Sequence, residues 1–178
     1  TIKGHAFNLS EYDHLYIVGF GKASCVASAA LSSVLGSAID SGIAIGLAPV
    51  ACEYVHTYGG THPLPSVLNV ELSQKIVDLS KTITEKDLVL VVVSGGGSSL
   101  LCWPMAECEQ ADRLYHAFLK TGGDIKELNT VRKHISTLKG GGLAKLLYPA
   151  SVVGLIFSDI PGDSFEHTAS APTYLDTT

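Results

Sequence analysis

The chain has 178 residues, 46% hydrophobic and only 16% charged, which suffices for one domain with a sizeable buried core and excludes a disordered chain. A net charge of −5 gives no long-range attraction to phosphate backbones or anionic lipid, so no nucleic-acid partner is expected and any phosphate chemistry must use local groups. The longest apolar run, Leu88 to Val93, is far too short to span a bilayer, and no membrane association is expected.

Leu15 to Gly19 (LYIVG) is a β-branched apolar run closed by glycine, and Lys22 to Leu35 is rich in alanine and serine at helical spacing. Strand, turn and helix are expected in that order. Ser41 to Leu47 (SGIAIGL) forms a second apolar run, and Ser66 to Leu79 carries Val67, Val70, Ile76, Val77 and Leu79 at helical intervals behind a proline-rich entry. Asp87 to Val93 (DLVLVVV) is apolar without a period of two, as expected of a strand covered on both faces, and is read as the central strand. Helices are expected over Glu109 to Lys120 and Asp124 to Leu138, and a further buried strand over Val152 to Phe157 (VVGLIF).

Strands alternating with helices of ten or more residues imply parallel pairing through right-handed crossovers. The expected fold is therefore α/β: a doubly wound, mostly parallel sheet in a three-layer α/β/α, Rossmann-like sandwich. A TIM barrel needs more units than this length provides. Cys25, Cys52, Cys102 and Cys108 form no CxxC pair, and no signal pattern precedes them, so a reducing, cytoplasmic location is expected. The chain starts at Thr1 and stops at Thr177-Thr178 without a capped element, from which both ends are read as cut from a longer protein. Some of the apolarity is expected to face another domain, and a homodimer is a candidate assembly.

Ligands of open parallel sheets bind beyond the carboxyl ends of the strands, which directs attention to three loops. These are Gly19-Phe20-Gly21-Lys22-Ala23-Ser24, Ser94-Gly95-Gly96-Gly97-Ser98-Ser99 and Ser158-Asp159-Ile160-Pro161-Gly162-Asp163. Without Cβ atoms at three successive positions, the second loop can bring backbone N–H groups and a helix start close to an anion; the alternative is a tight turn packed on its neighbours. Lys22 could neutralise a transferring phosphoryl group, the alternative being an exposed lysine at a helix start. Asp159 and Asp163 flank a Pro-Gly turn, placed either to hold Mg²⁺ or accept a proton, or only to form the turn. Arg132, Lys133 and Lys139 are read as lying on or near one helix that ends at Gly140-Gly141-Gly142, with Arg132 and Lys139 seven apart and so on the same face, either an anion site or a solvated face. His62, ahead of Pro63, is read as lining the crevice, His134 as packing on its helix, and Trp103 as core.

Other chemistries fail on sequence. GxxxxGK[ST] is excluded because Tyr16 stands where its first glycine belongs and Ala23 follows the lysine. As a GxGxxG fingerprint the first loop ends in Ser24, and Gly46-Leu47-Ala48 offers no acidic residue for a ribose, which weakens the case for NAD. There is no GxSxG elbow, and the seven histidines include no HExxH.

GKAS, GGTHPLP, LVLVVVSGGGSSLL, ELNTVRKHISTLKGGGLA, and LIFSDIPGD followed by ASAPT occur in this order from about Leu15 to the end of the chain. Together they resemble class II glycerate kinases. The resemblance implies ATP-dependent phosphorylation of the 2-hydroxyl of D-glycerate, giving 2-phosphoglycerate, in a cleft between this domain and a smaller carboxyl-terminal domain absent here. It implies that Lys22 is catalytic, that Gly21 and Ser94, Gly95, Gly96, Gly97, Ser98 and Ser99 hold nucleotide phosphates, and that Asp159 or Asp163 is an acidic active-site residue with Mg²⁺. Asn129, Arg132 and Lys133 belong to the NTVRKH motif and, with His62, are expected to contact substrate or phosphate. One departure stands out: Ala171 replaces the glycine of the usual ASGPT. A NAD(P)H-dependent hydroxypyruvate reductase and a non-catalytic ligand-binding half domain remain the alternatives.

Overall fold

The computed structural model describes residues 2, 4–122, 125–158 and 165–176. Five strands, β1 (His14–Phe20), β2 (Ser41–Gly46), β3 (His56–Gly59), β4 (Asp87–Ser94) and β5 (Ser151–Phe157), form one sheet in the order β3-β2-β1-β4-β5. Every pairing is parallel. The chain runs outward from β1 to β3 on one side and from β4 to β5 on the other, so the sheet is doubly wound as expected. Its switch point lies between β1 and β4.

Alternation along the strands divides the core. Tyr16, Val18 and Phe20 of β1 and Val89, Val91 and Val93 of β4 point to one face, where Leu72 and Ile76 of α2 (Val67–Ser80) and Leu143 and Leu147 of α6 (Gly142–Leu147) cover them. Leu15 and Ile17 with Leu88, Leu90 and Val92 point to the other face, covered by α1 (Ser24–Leu35). Between β4 and β5 come α3 (Gly97–Leu100), α4 (Met105–Thr121) and α5 (Ile125–Ile135). A buried ion pair fastens parts of this insertion to one another: Lys139 Nζ donates to Glu107 and, at 2.8 Å, to the Leu101 carbonyl, while Glu107 also accepts from Trp103 N–H at 3.1 Å. Trp103 packs against the core, as read from sequence.

Three expectations need correction. The central strand is β1, with β4 beside it, although all eight β4 residues are buried. A run of valines reports burial on both faces, and a strand next to the centre meets that condition equally. The last strand is not buried: β5 ends the described sheet, its residues are half-buried or exposed, and Phe157 is 54% exposed. On that side α1 does not reach across, leaving an apolar hollow of about 780 Å³ bounded by Leu88, Leu90, Leu155 and Phe157 and by Val26 and Val34 of α1. Finally, α5 stops at Ile135, so Lys139 lies in the following loop and shares no helix face with Arg132. No helix among the described residues is long and apolar enough to cross a membrane.

Candidate active site

At the switch point the loops after β1 and β4 pack backbone against backbone. Gly21 has φ +120°, and a Cβ there would collide with Ser94. Lys22 N–H donates to the Gly95 carbonyl at 2.9 Å and Ala23 N–H to Ser94 Oγ at 3.0 Å. Ser24, where a dinucleotide fingerprint would end in glycine or alanine, is buried, and its hydroxyl bonds the carbonyls of Gly21 and Ile45, each at 2.8 Å. The first loop is thereby tied to both neighbouring strands and leaves the exposed Lys22 projecting from its tip.

Gly96 adopts φ +80°, and the position of a Cβ on it lies 2.9 Å from Lys22 Cε and 3.0 Å from His62 Nε2. The lysine and the histidine thus lie together over the glycine loop, which places His62 in the crevice as expected. Burial, and then the charge of Lys22, hold the His62 imidazole below its ordinary pKa, favouring the neutral form. A Cβ on Gly97 would come 2.6 Å from Ala169 Cβ. Close packing therefore explains the lack of side chains at Gly96 and Gly97, and the same lack brings the backbone within reach of the lysine. The helix that follows, α3, has only four residues.

A third segment closes the crevice from behind. Ala169, Ser170 and Ala171 have φ of 53°, 61° and 55°, a run of left-handed residues without glycine. Ala171, which stands where the usual ASGPT has glycine, is thus in a conformation that glycine adopts more readily. The buried Ser170 hydroxyl reaches Ser98 Oγ at 2.8 Å and donates to Asn129 Oδ1 at 3.3 Å, joining α5 to the glycine loop. Ser99 is held separately: the fully buried Asn69 donates through Nδ2 to its carbonyl at 2.8 Å and to the Thr61 carbonyl at 2.9 Å. Asn69 Oδ1 accepts from Thr61 N–H at 2.9 Å and Thr61 Oγ1 at 2.8 Å, so this one amide anchors the His62 loop to the glycine loop.

Sequence reasoning passed over Asn69 and Ser170. A polar residue on the apolar face of α2 was the available signal for Asn69; Ser170 gave none, because its partners lie 72 and 41 residues away.

The basic residues do not act as one face. Lys133, buried, donates to Asp176 at 3.1 Å, and Lys139 is held by Glu107. Arg132 does come to the loop, lining a small hollow with Ser98, Ser99, Pro65 and Glu107. Burial lowers its pKa, against the raising influence of Glu107 and Tyr115. His134 is exposed and lies back on its own helix, its Nδ1 2.8 Å from the Thr130 carbonyl one turn earlier. Asp159 and Asp163 lie outside the described residues. Among the described residues no group of three or more His, Cys, Asp and Glu could hold a metal ion. The thiols are free, and burial pushes that of Cys102 up to about 12.

Comparison with known proteins adds context to this geometry. The profile of a domain of unknown function, DUF4147, matches residues 1–178. The chain is 36% identical to a D-glycerate 2-kinase of Thermotoga maritima over 169 residues, covering 92% of this chain and 40% of that protein. It is 40% identical to a putative hydroxypyruvate reductase of Agrobacterium vitis over 162 residues, covering 88% of this chain and 42% of the relative. The crystal structure of the Thermotoga maritima glycerate kinase superposes with a TM-score of 0.87 at 34% identity, covering 95% of this chain and 42% of that one. The chain thus spans about two-fifths of the length of the relatives it matches.

Proposed function

Because this chain belongs to the DUF4147 family, we propose that it forms one wall of a glycerate kinase that transfers the γ-phosphoryl group of ATP to the 2-hydroxyl of D-glycerate. The observation that carries the reading is the position of Lys22 over the Gly95–Gly97 backbone at the switch point of the sheet. An ammonium beside a loop without side chains is suited to a polyanion: the loop admits close approach, and the lysine opposes the charge spread over the transferring group. In the reaction the glycerate C2 oxygen bonds to the γ-phosphorus, the bond to the β–γ bridging oxygen breaks, and ADP leaves. The hydroxyl proton goes to a carboxylate, for which Asp159 and Asp163 are the candidates. Mg²⁺ accompanying ATP would neutralise phosphate charge, with the same two aspartates as its candidate ligands. Arg132, which lines a small hollow together with Ser98 and Ser99, is suited to an anionic group of either substrate, whereas Lys133 is already paired with Asp176.

Other features support a kinase over a nicotinamide enzyme. The residues after β2 are Gly46-Leu47-Ala48, with no carboxylate for a ribose, and the Ser24 hydroxyl is committed to two carbonyls.

The test is made on the full-length protein with ATP and D-glycerate, following ADP release and identifying the phosphorylated carbon by ³¹P and ¹H NMR. Lys22→Ala should lower kcat about 10²- to 10³-fold, the loss typical of one charge-stabilising donor. Near-normal kcat in that variant removes the lysine from the mechanism. Oxidation of NADH by hydroxypyruvate without ATP turnover would transfer the assignment to a reductase.

A further inference from the structure

Ser170 stands where three segments distant in sequence meet. Its hydroxyl donates to Asn129 Oδ1 on α5 and lies 2.8 Å from Ser98 Oγ in the glycine loop. Its carbonyl accepts from Gly140 N–H at 3.0 Å, and the Ala171 carbonyl accepts from Gly141 N–H at 2.7 Å. A hydroxyl carries one proton: with that of Ser170 placed on Asn129 Oδ1, Ser98 is the donor in the serine pair, in which the 2.8 Å geometry accommodates either oxygen as donor. The Ser98 proton is thus committed inward, and Ser98 meets the crevice as an acceptor.

The backbone points the same way. Ser170 is fully buried with φ 61°, between two alanines that are also left-handed. Residues with a Cβ resist this conformation, and such a run persists only where surrounding contacts over-determine it. Glycine would occupy position 170 with less strain, so a side chain retained there is accounted for by its hydroxyl.

We propose that Ser170 is a positioning residue for the Ser94–Ser99 loop, locking it to α5 through Ser98 and directing phosphate to the loop amides rather than to the Ser98 hydroxyl. This inference rests on the kinase reading above. Ser170→Gly separates the two roles of the residue, because it relieves backbone strain while deleting the hydroxyl. Ser170→Ala, which keeps the Cβ, serves as its companion.

Both variants are made in the full-length protein, with ATP affinity read by calorimetric titration as well as from KM. The expected result is a Ser170→Gly protein that melts no lower than wild type, yet shows a Kd and KM for ATP raised about 3- to 10-fold, the range for one lost hydrogen bond. Ser170→Ala should match it in affinity, and Ser98→Ala combined with Ser170→Gly should bind no more weakly than Ser98→Ala alone. Wild-type ATP affinity in Ser170→Gly, or fully additive losses in the double variant, overturns the inference. A wild-type protein that binds ATP but never phosphorylates glycerate counts against the kinase reading alone, since the affinity comparison still decides the role of Ser170. A wild-type protein that binds no ATP overturns both.

Discussion

Replacing Asn69 by alanine should destabilise the domain and loosen its crevice together. The side-chain amide is fully buried and makes four bonds of 2.8–2.9 Å, three to Thr61 and one to the Ser99 carbonyl. Thr61 is exposed, so water can replace the amide there at modest cost; Ser99 is only 6% exposed, and its carbonyl loses a partner that water cannot readily supply. One buried orphan, together with the solvent-replaceable bonds to Thr61 and the longer capping contacts that Oδ1 accepts from Ser66 N–H and Oγ, gives a loss of about 2–4 kcal/mol. For a domain of this size that corresponds to a melting temperature lower by roughly 5–12 °C. Differential scanning calorimetry on the protein and the variant measures this. Asn69→Asp, which places carboxylate oxygens against the Thr61 and Ser99 carbonyls, should be at least as damaging above pH 5. A fall of less than 2 °C in Asn69→Ala would show that the amide does not join the two loops, and the reasoning would fail.

Ala171→Gly should raise the melting temperature by about 2–4 °C, because relief of about 1–2 kcal/mol of left-handed strain exceeds the added freedom of glycine in the unfolded chain; an unchanged or lower value would mean that Ala171 is not strained. Glu107→Ala leaves the fully buried Lys139 ammonium without its carboxylate and should cost about 3–5 kcal/mol, whereas Glu107→Leu with Lys139→Met should recover most of the loss. Chemical denaturation of the single and double variants distinguishes a needed pair from a removable one. The pKa of His62 is lowered in the folded state, so the unfolded state binds more protons as pH falls below about 6.5, and stability should decrease there until the folded pKa is passed. An NMR titration should place His62 below that value in the native protein and move it upward in Lys22→Ala; an imidazole titrating normally would contradict the burial and the lysine contact.

Much of this site is legible along the chain because parallel strands place their following loops at one edge of the sheet. LYIVG and DLVLVVV reveal themselves as strands by β-branched apolarity, and GFGK and SGGGSS then follow at their carboxyl ends. Local sequence was equally sufficient for the α/β class and for the length of α2. It was insufficient for β3, where His56–Gly59 (HTYG) is short, half-exposed and without an apolar signature; only pairing with β2 makes it a strand. Nor could it order the strands, since valine runs report burial and not neighbours.

The same limit separates the basic residues. Arg132, Lys133 and Lys139 look equivalent in sequence, but charge partners are chosen across space: Lys139 meets Glu107, 32 residues away, and Lys133 meets Asp176, 43 residues away. The left-handed run at residues 169–171 is likewise a tertiary product. No local preference puts alanine and serine there, and they stay because Asn129, Ser98 and the Gly140-Gly141 amides hold them in place. Short-range propensity and periodicity thus determined the elements and the loops that carry the chemistry, while the long-range contacts made on folding decided strand order, charge pairing and which side chains face the crevice.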